Sequence, residues 1–477
     1  MGKELILKTL RHEKTDEIPW VPFAGVHAGQ LKGFTAEEML TNADNIVESL
    51  KEVNKLYMPD GLPVLFDLQV EAEILGCDLL WAKDNPPSVK SHPLAAEKTL
   101  PCSCKMPTPE SGRMPMILDA MKRTKEAIGE DVALYGLICG PFTLASHLRG
   151  SDIFMDMMKD KNYVKDLMAF CGQVAVKMCE MYIDAGMDVI AVVDPLISQV
   201  SPKMIEKLLS ESFIGVFDYI RSRGCLSSFF VCGNATSQIE VMCKMGPDGV
   251  SIDENVDLAK AKEITDKYNI TIGGNIPLTT TMLHGTQEDN IKSVIDLIDS
   301  VEDKRNFIVS PGCDMPYATP RENTIACAQA VKNPEASRKL IENYESSFDD
   351  IEVEIPDYAN EEKVIVELFL LDPEQCAACT YMKASAVDAY EEMKDIAEIR
   401  EYKYFIKEDI ARTRKMGVKN LPTMCIDGEQ KFISIIPSRE ELLEAVTFTA
   451  IRGNMSEIRT LSELAEKKVT GFSGGVD

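Results

Sequence analysis

Phe229-Phe230-Val231-Cys232-Gly233-Asn234 reads as the end of a buried strand that stops at a cysteine and a glycine. Ile308-Val309-Ser310-Pro311-Gly312-Cys313-Asp314 repeats the arrangement further along. Each is a short apolar run bounded by turn residues, the pattern of a strand covered on both faces. Working outward from these two, similar runs complete a set of eight: residues 18–24, 62–66, 133–139, 188–194, 226–232, 249–253, 270–275 and 306–311. Long amphipathic stretches, such as 153–185 and 203–223, separate them. Strands alternating with helices predict an α/β fold, a closed (β/α)8 barrel of the TIM type, with an open doubly wound sheet as the alternative. No Gly-x-Gly-x-x-Gly follows the first strand, which argues against a dinucleotide site. Barrels of this kind keep their chemistry past the C-terminal ends of the strands. Cys232 and Cys313 stand there, after the fifth and eighth expected strands.

The chain has 477 residues, 45% of them apolar, enough for two or three domains with a large core. No apolar run approaches the ~18–20 residues that span a bilayer. The opening Met1-Gly2-Lys3-Glu4-Leu5 lacks the charged-then-apolar order of a secretion signal, so the expected location is cytoplasmic. A net charge of −26 leaves no basic footprint for nucleic acid. Neither nucleic acid nor a membrane is expected as a partner. Fourteen cysteines point to thiol or metal chemistry more than to a disulfide framework. Cys77, Cys171, Cys179, Cys243 and Cys327 sit in apolar contexts and read as core packing.

The barrel is assigned to residues 1–343. Residues 344–363, with Asp349, Asp350, Glu352 and Glu354, read as an acidic, solvated linker. A second domain is expected over 364–452 and a flexible, glycine-rich tail over 453–477. Val364-Ile365-Val366-Glu367-Leu368-Phe369-Leu370 is a buried-strand pattern, and Cys376-Ala377-Ala378-Cys379 follows at the head of a helix. A strand near 398–405, a helix near 411–416, Leu421-Pro422-Thr423 entering a hairpin and a helix over 439–451 complete the unit. This order resembles the thioredoxin/glutaredoxin fold. The resemblance implies a thioredoxin-like α/β domain in which Cys376 and Cys379 form the redox pair and Pro422 is cis beside it. A helix N-terminus at the first cysteine favours its thiolate. Gln375 stands where that family has Trp, and Ala-Ala replaces Gly-Pro, which bears on redox potential and partner choice. Cys425 is an extra thiol that could lie near the pair. A docking module without redox chemistry is the alternative.

Several stretches of the first part together resemble the uroporphyrinogen decarboxylase superfamily. They are Glu73-Ile74-Leu75-Gly76-Cys77, Gly140-Pro141-Phe142-Thr143-Leu144-Ala145 and Gly186-Met187-Asp188-Val189-Ile190 with Asp194. Ser201-Pro202, Gly274-Asn275-Ile276-Pro277, Ser310-Pro311-Gly312-Cys313 and Thr319-Pro320-Arg321-Glu322-Asn323 continue the likeness. The decarboxylases hold a porphyrinogen through an arginine-rich segment near the N-terminus. Here that region reads Arg11-His12-Glu13-Lys14 and then Pro19-Trp20-Val21-Pro22-Phe23, without the arginine cluster.

The other branch comprises corrinoid-dependent methyltransferases of the methylcobalamin:coenzyme M type. Resemblance to it implies zinc on a His-x-Cys after the fifth strand and on a Cys after the eighth. Cys232 and Cys313 match those cysteines, and Phe230 occupies the histidine position. Zinc takes thiolate, imidazole or carboxylate ligands, usually four. Likeness to cobalamin-independent methionine synthases makes Glu254 the preferred third ligand, with His27 next. A thiol near neutral pH is mostly protonated, and zinc deprotonates a bound thiol outright. The resulting thiolate would attack the methyl group on cobalt. No Asp-x-His-x-x-Gly corrinoid signature occurs, so methylcobalamin or another corrinoid is expected on a separate partner protein. Asp67, Asp194 and Asn275, near strand ends, are candidate pocket residues, each equally readable as a helix cap or a satisfied loop group; Asp253 is a candidate substrate contact, and His27 reads more readily as a hydrogen-bonded pocket residue than as a ligand.

The expected function is methyl transfer between a corrinoid protein and a thiol or other small acceptor, in either direction. The rivals are a metal-free lyase on a tetrapyrrole, using Asp67 or Asp194, and a non-catalytic, redox-regulated module that binds a corrinoid protein.

Overall fold

The computed structural model describes residues 2–344, 352–371, 377–418 and 420–451. The chain divides into two units, Met1–Asp349 and Asp350–Asp477. In the first, seven strands lie side by side in chain order, every pair parallel. They are β1 (Gly61–Leu65), β2 (Ala133–Cys139), β3 (Val189–Val193), β4 (Leu226–Val231), β5 (Gly249–Ile252), β6 (Thr271–Ile276) and β7 (Phe307–Pro311). Helices connect them, the longest being Lys161–Asp184. The architecture is consistent with a TIM-type barrel.

The first of the eight expected strands does not form a ladder. Trp20 makes only an isolated parallel bridge to Val309. The segment nevertheless touches both edges of the sheet. Val21 N donates to Val309 O at 3.0 Å, Val309 N to Pro19 O at 2.9 Å, and Asp60 N to Trp20 O at 2.9 Å. The reason is local chemistry. Pro19 and Pro22 have no N–H to give, and Trp20 N is spent on the Asp60 carboxylate at 2.8 Å. Between Pro19 and Pro22 only Val21 remains to donate to the sheet, so the eighth position is filled by a seam.

Strand β4 shows how the barrel is packed. Successive side chains alternate between faces. Phe229 points outward onto the helix Ser210–Ser222, with ring centroids 5.1 Å from Phe213 and 5.5 Å from Phe217. Phe230 points inward and joins Val21, Phe23, Tyr135, Leu137, Val189 and Ile308 in the interior. Full burial of such a ring contributes about 2–3 kcal/mol. The five cysteines expected in the core are all buried.

The second unit has a four-stranded sheet: β8 (Val364–Leu370), β9 (Ala397–Lys403), β10 (Thr423–Ile426) and β11 (Glu429–Ile433), in the order β9-β8-β10-β11. β8 and β9 are parallel; β10 runs antiparallel to β8 and to β11. On one face Val366, Leu368, Leu370, Met424 and Ile426 pack with Cys379 and Met382 of the helix Ala377–Met393. On the other, Phe369 and Cys425 pack with Val418 and Leu421. Cys425 is therefore on the opposite face from Cys379, because neighbouring residues of β10 alternate sides. Part of the expected linker is also structured: Lys415 Nζ donates to Val353 O at 2.7 Å, and Tyr358 OH to Glu367 at 2.7 Å. Its acidic composition hid a tyrosine that completes a buried carboxylate. The expected tail, 453–477, lies outside the described residues. Among the described residues no helix is long and apolar enough to cross a membrane.

Candidate active site

Cys232 follows β4 and Cys313 follows β7, and the fold brings them together. Their Cα atoms are 6.1 Å apart and their sulfurs are paired. Cys232 inherits the inward orientation of Phe230, two positions earlier, and both cysteines are half-buried. They rest on an aromatic floor. The Phe230 ring, 1% exposed, lies 4.8 Å from Phe23 and 6.0 Å, edge-on, from Phe66. Both cysteines pack against this cluster. Phe230 thus supplies packing where the resemblance led one to look for imidazole.

A hydrogen-bonded frame fixes the loops. Gly233 N, next to Cys232, donates to Asp253 Oδ2 at 2.8 Å. Asp253 Oδ1 accepts from Asn255 N at 2.9 Å and Asn255 Nδ2 at 2.6 Å. Asn275 Nδ2 donates to the carbonyls of Asp253 and Val256, both at 2.8 Å. Burial pushes the Asp253 carboxyl up, against the opposing pull of these donors. Asp253 and Asn275, expected as substrate contacts, therefore tie the loops after β4 and β5 to each other and to the end of β6. The other cysteine is held by close backbone approach: a Cβ on Gly312 would lie 2.6 Å from Glu254 N. Only glycine tolerates that approach.

The expected additional ligands are engaged elsewhere. Glu254 Oε2 accepts a short hydrogen bond from Leu278 N. His27 is fully buried, with Nδ1 3.0 Å from Tyr317 O and Nε2 2.7 Å from Tyr57 OH. A carbonyl only accepts, so Nδ1 carries the proton and Nε2 accepts from the phenol. Burial pushes the imidazole down to about 4. His27 is thus a neutral strut between the helix Gly25–Gln30 and the loop after β7, with no ring nitrogen left for metal or proton transfer. Among the described residues, no three His, Cys, Asp or Glu side chains gather into a metal-binding group.

The buried neutral ring has a pH signature. The unfolded imidazole titrates near ~6.5, so between pH 6.5 and 4 the unfolded chain binds the extra proton. The stability tied to the neutral ring is present above that window and lost as pH falls through it. We expect the parent to lose about 2–2.5 kcal/mol more than His27→Gln between pH 7 and 4.5, measured by chemical denaturation. Equal losses would count against the assignment.

The two remaining aspartates serve structure. Asp67 Oδ2 is 2.7 Å from Arg113, which also holds Glu73 at 2.7 Å and lies over the Trp81 ring. Asp194 caps the helix Pro141–Arg149. It accepts from Phe142 N at 2.9 Å, Thr143 N at 3.1 Å and Thr143 Oγ1 at 2.6 Å. Burial pushes its carboxyl up to about 7 against those donors. Neither makes any of these contacts with the cysteines. The sequence reading missed Phe23, in the expected first strand, and Phe66, which directly follows β1. It also missed Asp314, beside Cys313, whose Oδ1 accepts from Gly25 N at 2.9 Å.

A family model described as uroporphyrinogen decarboxylase (URO-D) matches residues 1–334, the whole barrel and both cysteines. The chain belongs to the uroporphyrinogen decarboxylase family. Among its relatives in that family is the methylcobamide:CoM methyltransferase MtbA of Methanosarcina acetivorans, 28% identical over 69% of this chain and 97% of the relative. The uroporphyrinogen decarboxylase of Wolbachia sp. subsp. Brugia malayi is 27% identical over 62% of this chain and 84% of its own. A solved methyltransferase from Methanosarcina mazei superposes with a TM-score of 0.63 over 70% of this chain and 98% of its own. At 23% identity that likeness speaks to fold.

The second unit lies beyond the family match. Cys379 is fully buried at the second position of the Cys-x-x-Cys sequence, while Cys376 falls outside the described residues. The Leu421–Pro422 bond, just before β10, is cis. Glu367 and Arg412, both buried, form an ion pair at 2.5 Å.

Proposed function

We propose that this member of the uroporphyrinogen decarboxylase family is a corrinoid-dependent methyltransferase, moving a methyl group between a separate corrinoid protein and a small thiol. The observation that carries the reading is the meeting of Cys232 and Cys313 at the C-terminal ends of β4 and β7, in a barrel 28% identical to methylcobamide:CoM methyltransferase MtbA. Two convergent thiolates suit zinc by ligand chemistry, and in the reduced protein Cys232 and Cys313 would hold it. Glu254 could join them after release from Leu278 N. Bound there, zinc would deprotonate a substrate thiol and keep it nucleophilic. The chain's own residues do the rest. Asp253, Asn275 and Gly312 hold the two cysteine loops, and Phe23, Phe66 and Phe230 close the floor beneath them against water.

The lyase reading has less support, because Asp67 is ion-paired with Arg113 and Asp194 is committed to a helix start. The test is thiol-dependent loss of methylcobalamin absorption by anaerobically purified protein, beside its metal content. We expect about one zinc per chain and turnover that chelation abolishes and zinc restores. Turnover of a porphyrinogen by metal-free protein would favour the lyase instead.

The second unit is proposed as a thioredoxin-like redox module in which Cys376 and Cys379 keep the barrel thiols reduced. Its strand order, the helix carrying Cys379 and the cis Pro422 support this. A Cys376→Ser/Cys379→Ser double variant should match the parent when freshly reduced and lose activity faster in air. Equal aerobic lifetimes would remove this role.

A further inference from the structure

We propose that Cys232 and Cys313 are a reversible dithiol/disulfide couple whose oxidised form excludes metal, so that the site answers to the thiol/disulfide ratio of the small thiols around it. The couple rests on sulfur placement alone; its consequence for activity rests on the methyl-transfer reading.

The placement is specific. The Cα separation of 6.1 Å falls within the range a disulfide spans without backbone movement. The two loops are held at that separation by the Gly233–Asp253 bond and by the contact of Gly312 with the Glu254 backbone. Both cysteines are half-buried at the strand ends. The described cysteines outside disulfides are buried, apart from Cys225, whose thiol lies against the carbonyls of Met187 and Asp188. His27 has both nitrogens bonded, Glu254 accepts from Leu278 N, and Phe230 offers no ligand atom. Each sulfur therefore has the other as its partner whenever metal is absent.

The exchange balances. One cysteine thiolate attacks a sulfur of a low-molecular-weight disulfide, whose S–S bond breaks and releases one thiolate, which takes a proton. The second cysteine, as thiolate, attacks the mixed disulfide and releases the second thiol. The protein pair loses two electrons and two protons, and the small disulfide gains them. A dithiol reverses the sequence. The oxidised form of any thiol acceptor is such a disulfide, so an oxidised acceptor pool would close the site that uses its reduced form.

The test uses the full chain in anaerobic buffers of 2-mercaptoethanol and 2-hydroxyethyl disulfide at graded ratios, quenched in acid, alkylated and mapped by peptide mass. A parallel set is loaded with zinc chloride, dialysed and analysed for metal. We expect a Cys232–Cys313 cross-linked peptide to rise with the disulfide fraction. Zinc should fall from about one per chain to none in step with it, and dithiothreitol should restore both. Cys232→Ser and Cys313→Ser should each abolish the cross-link. Stable mixed disulfides at these positions without a cross-link would overturn the proposal, as would oxidation confined to the exposed Cys102–Cys104 pair. Zinc retained by cross-linked protein would overturn the exclusion. A cross-link in protein that takes up no zinc in any state supports the couple and overturns the zinc reading instead.

Discussion

Cys232→Ser is expected to lower thiol-dependent methylcobalamin turnover by about a thousandfold or more at pH 7, with the fold intact. Two losses multiply. A thiol with pKa near 8.5 is only about 3% ionised at pH 7, so an acceptor no longer deprotonated at the site loses about thirtyfold. It also loses its fixed position, and misplacement by an ångström costs on the order of a hundredfold. The first loss can be recovered by pH. Raising pH from 7 to 8.5 should increase the variant's rate roughly fifteenfold, as the free thiol ionises. The parent should change far less over the same range. Cys313→Ser should behave alike. Cys225→Ser, at the opposite, N-terminal end of β4, should stay within about threefold of the parent, and near-parental activity in both Cys232→Ser and Cys313→Ser would sink the site. Melting curves separate this from unfolding, because Cys232 and Cys313 are half-buried and lie at loop positions, where a sulfur-to-oxygen change costs little.

Much of the barrel was legible because strand residues buried on both faces are apolar whatever their function, and seven of the eight expected runs form ladders. The run at 18–24 has the same composition, but its two prolines and the Asp60 carboxylate remove the donors a ladder needs. Cys232 and Cys313 could be paired from sequence because each follows a strand by a residue or two. The roles of Asp253, Asn275 and Asp194 could not. A carboxylate near a strand end looks the same in one dimension whether it meets substrate or a backbone N–H. Only the fold shows that Asp253 points at Gly233 N and Asp194 at Phe142 N. Glu254 illustrates the same limit: spacing brought its backbone against the Cys313 loop, while its carboxylate found Leu278 N. Cys425 was misjudged for a simpler reason. In β10 one step in sequence changes the face of the sheet, and the sequence does not say which face carries the helix.

Glu367→Gln is expected to destabilise the second unit by about 3–5 kcal/mol, the cost of stranding a buried charge. Glu367 and Arg412 are 0% and 3% exposed and are paired at 2.5 Å. Arg412 also reaches Glu354 O and Tyr358 OH and lies over the Tyr402 ring. Removing the carboxylate leaves the guanidinium facing carbonyl and phenol oxygens that cannot neutralise it. Arg412→Met should cost a similar amount from the other side. Attraction within the pair only offsets the cost of taking both charges out of water. The double replacement Glu367→Leu/Arg412→Met should therefore recover most of the loss, and in a cycle closed with the single variants Glu367→Leu and Arg412→Met the coupling energy should approach the sum of the two single effects in size. The readout is hydrogen exchange in the peptide covering β8, with β2 of the barrel as the internal reference. Protection in β8 should fall by about two to three and a half orders of magnitude in each single variant, 1.4 kcal/mol corresponding to about tenfold. It should return in the double variant. Additive losses in the double variant would mean that each side chain is held by its other contacts, with Tyr358 the first to examine, since its phenol touches both charges. Either result bears on the redox proposal. β8 leads into the segment that carries Cys376, so under the proposed redox role a unit loosened at Glu367 should leave the barrel thiols oxidising faster in air.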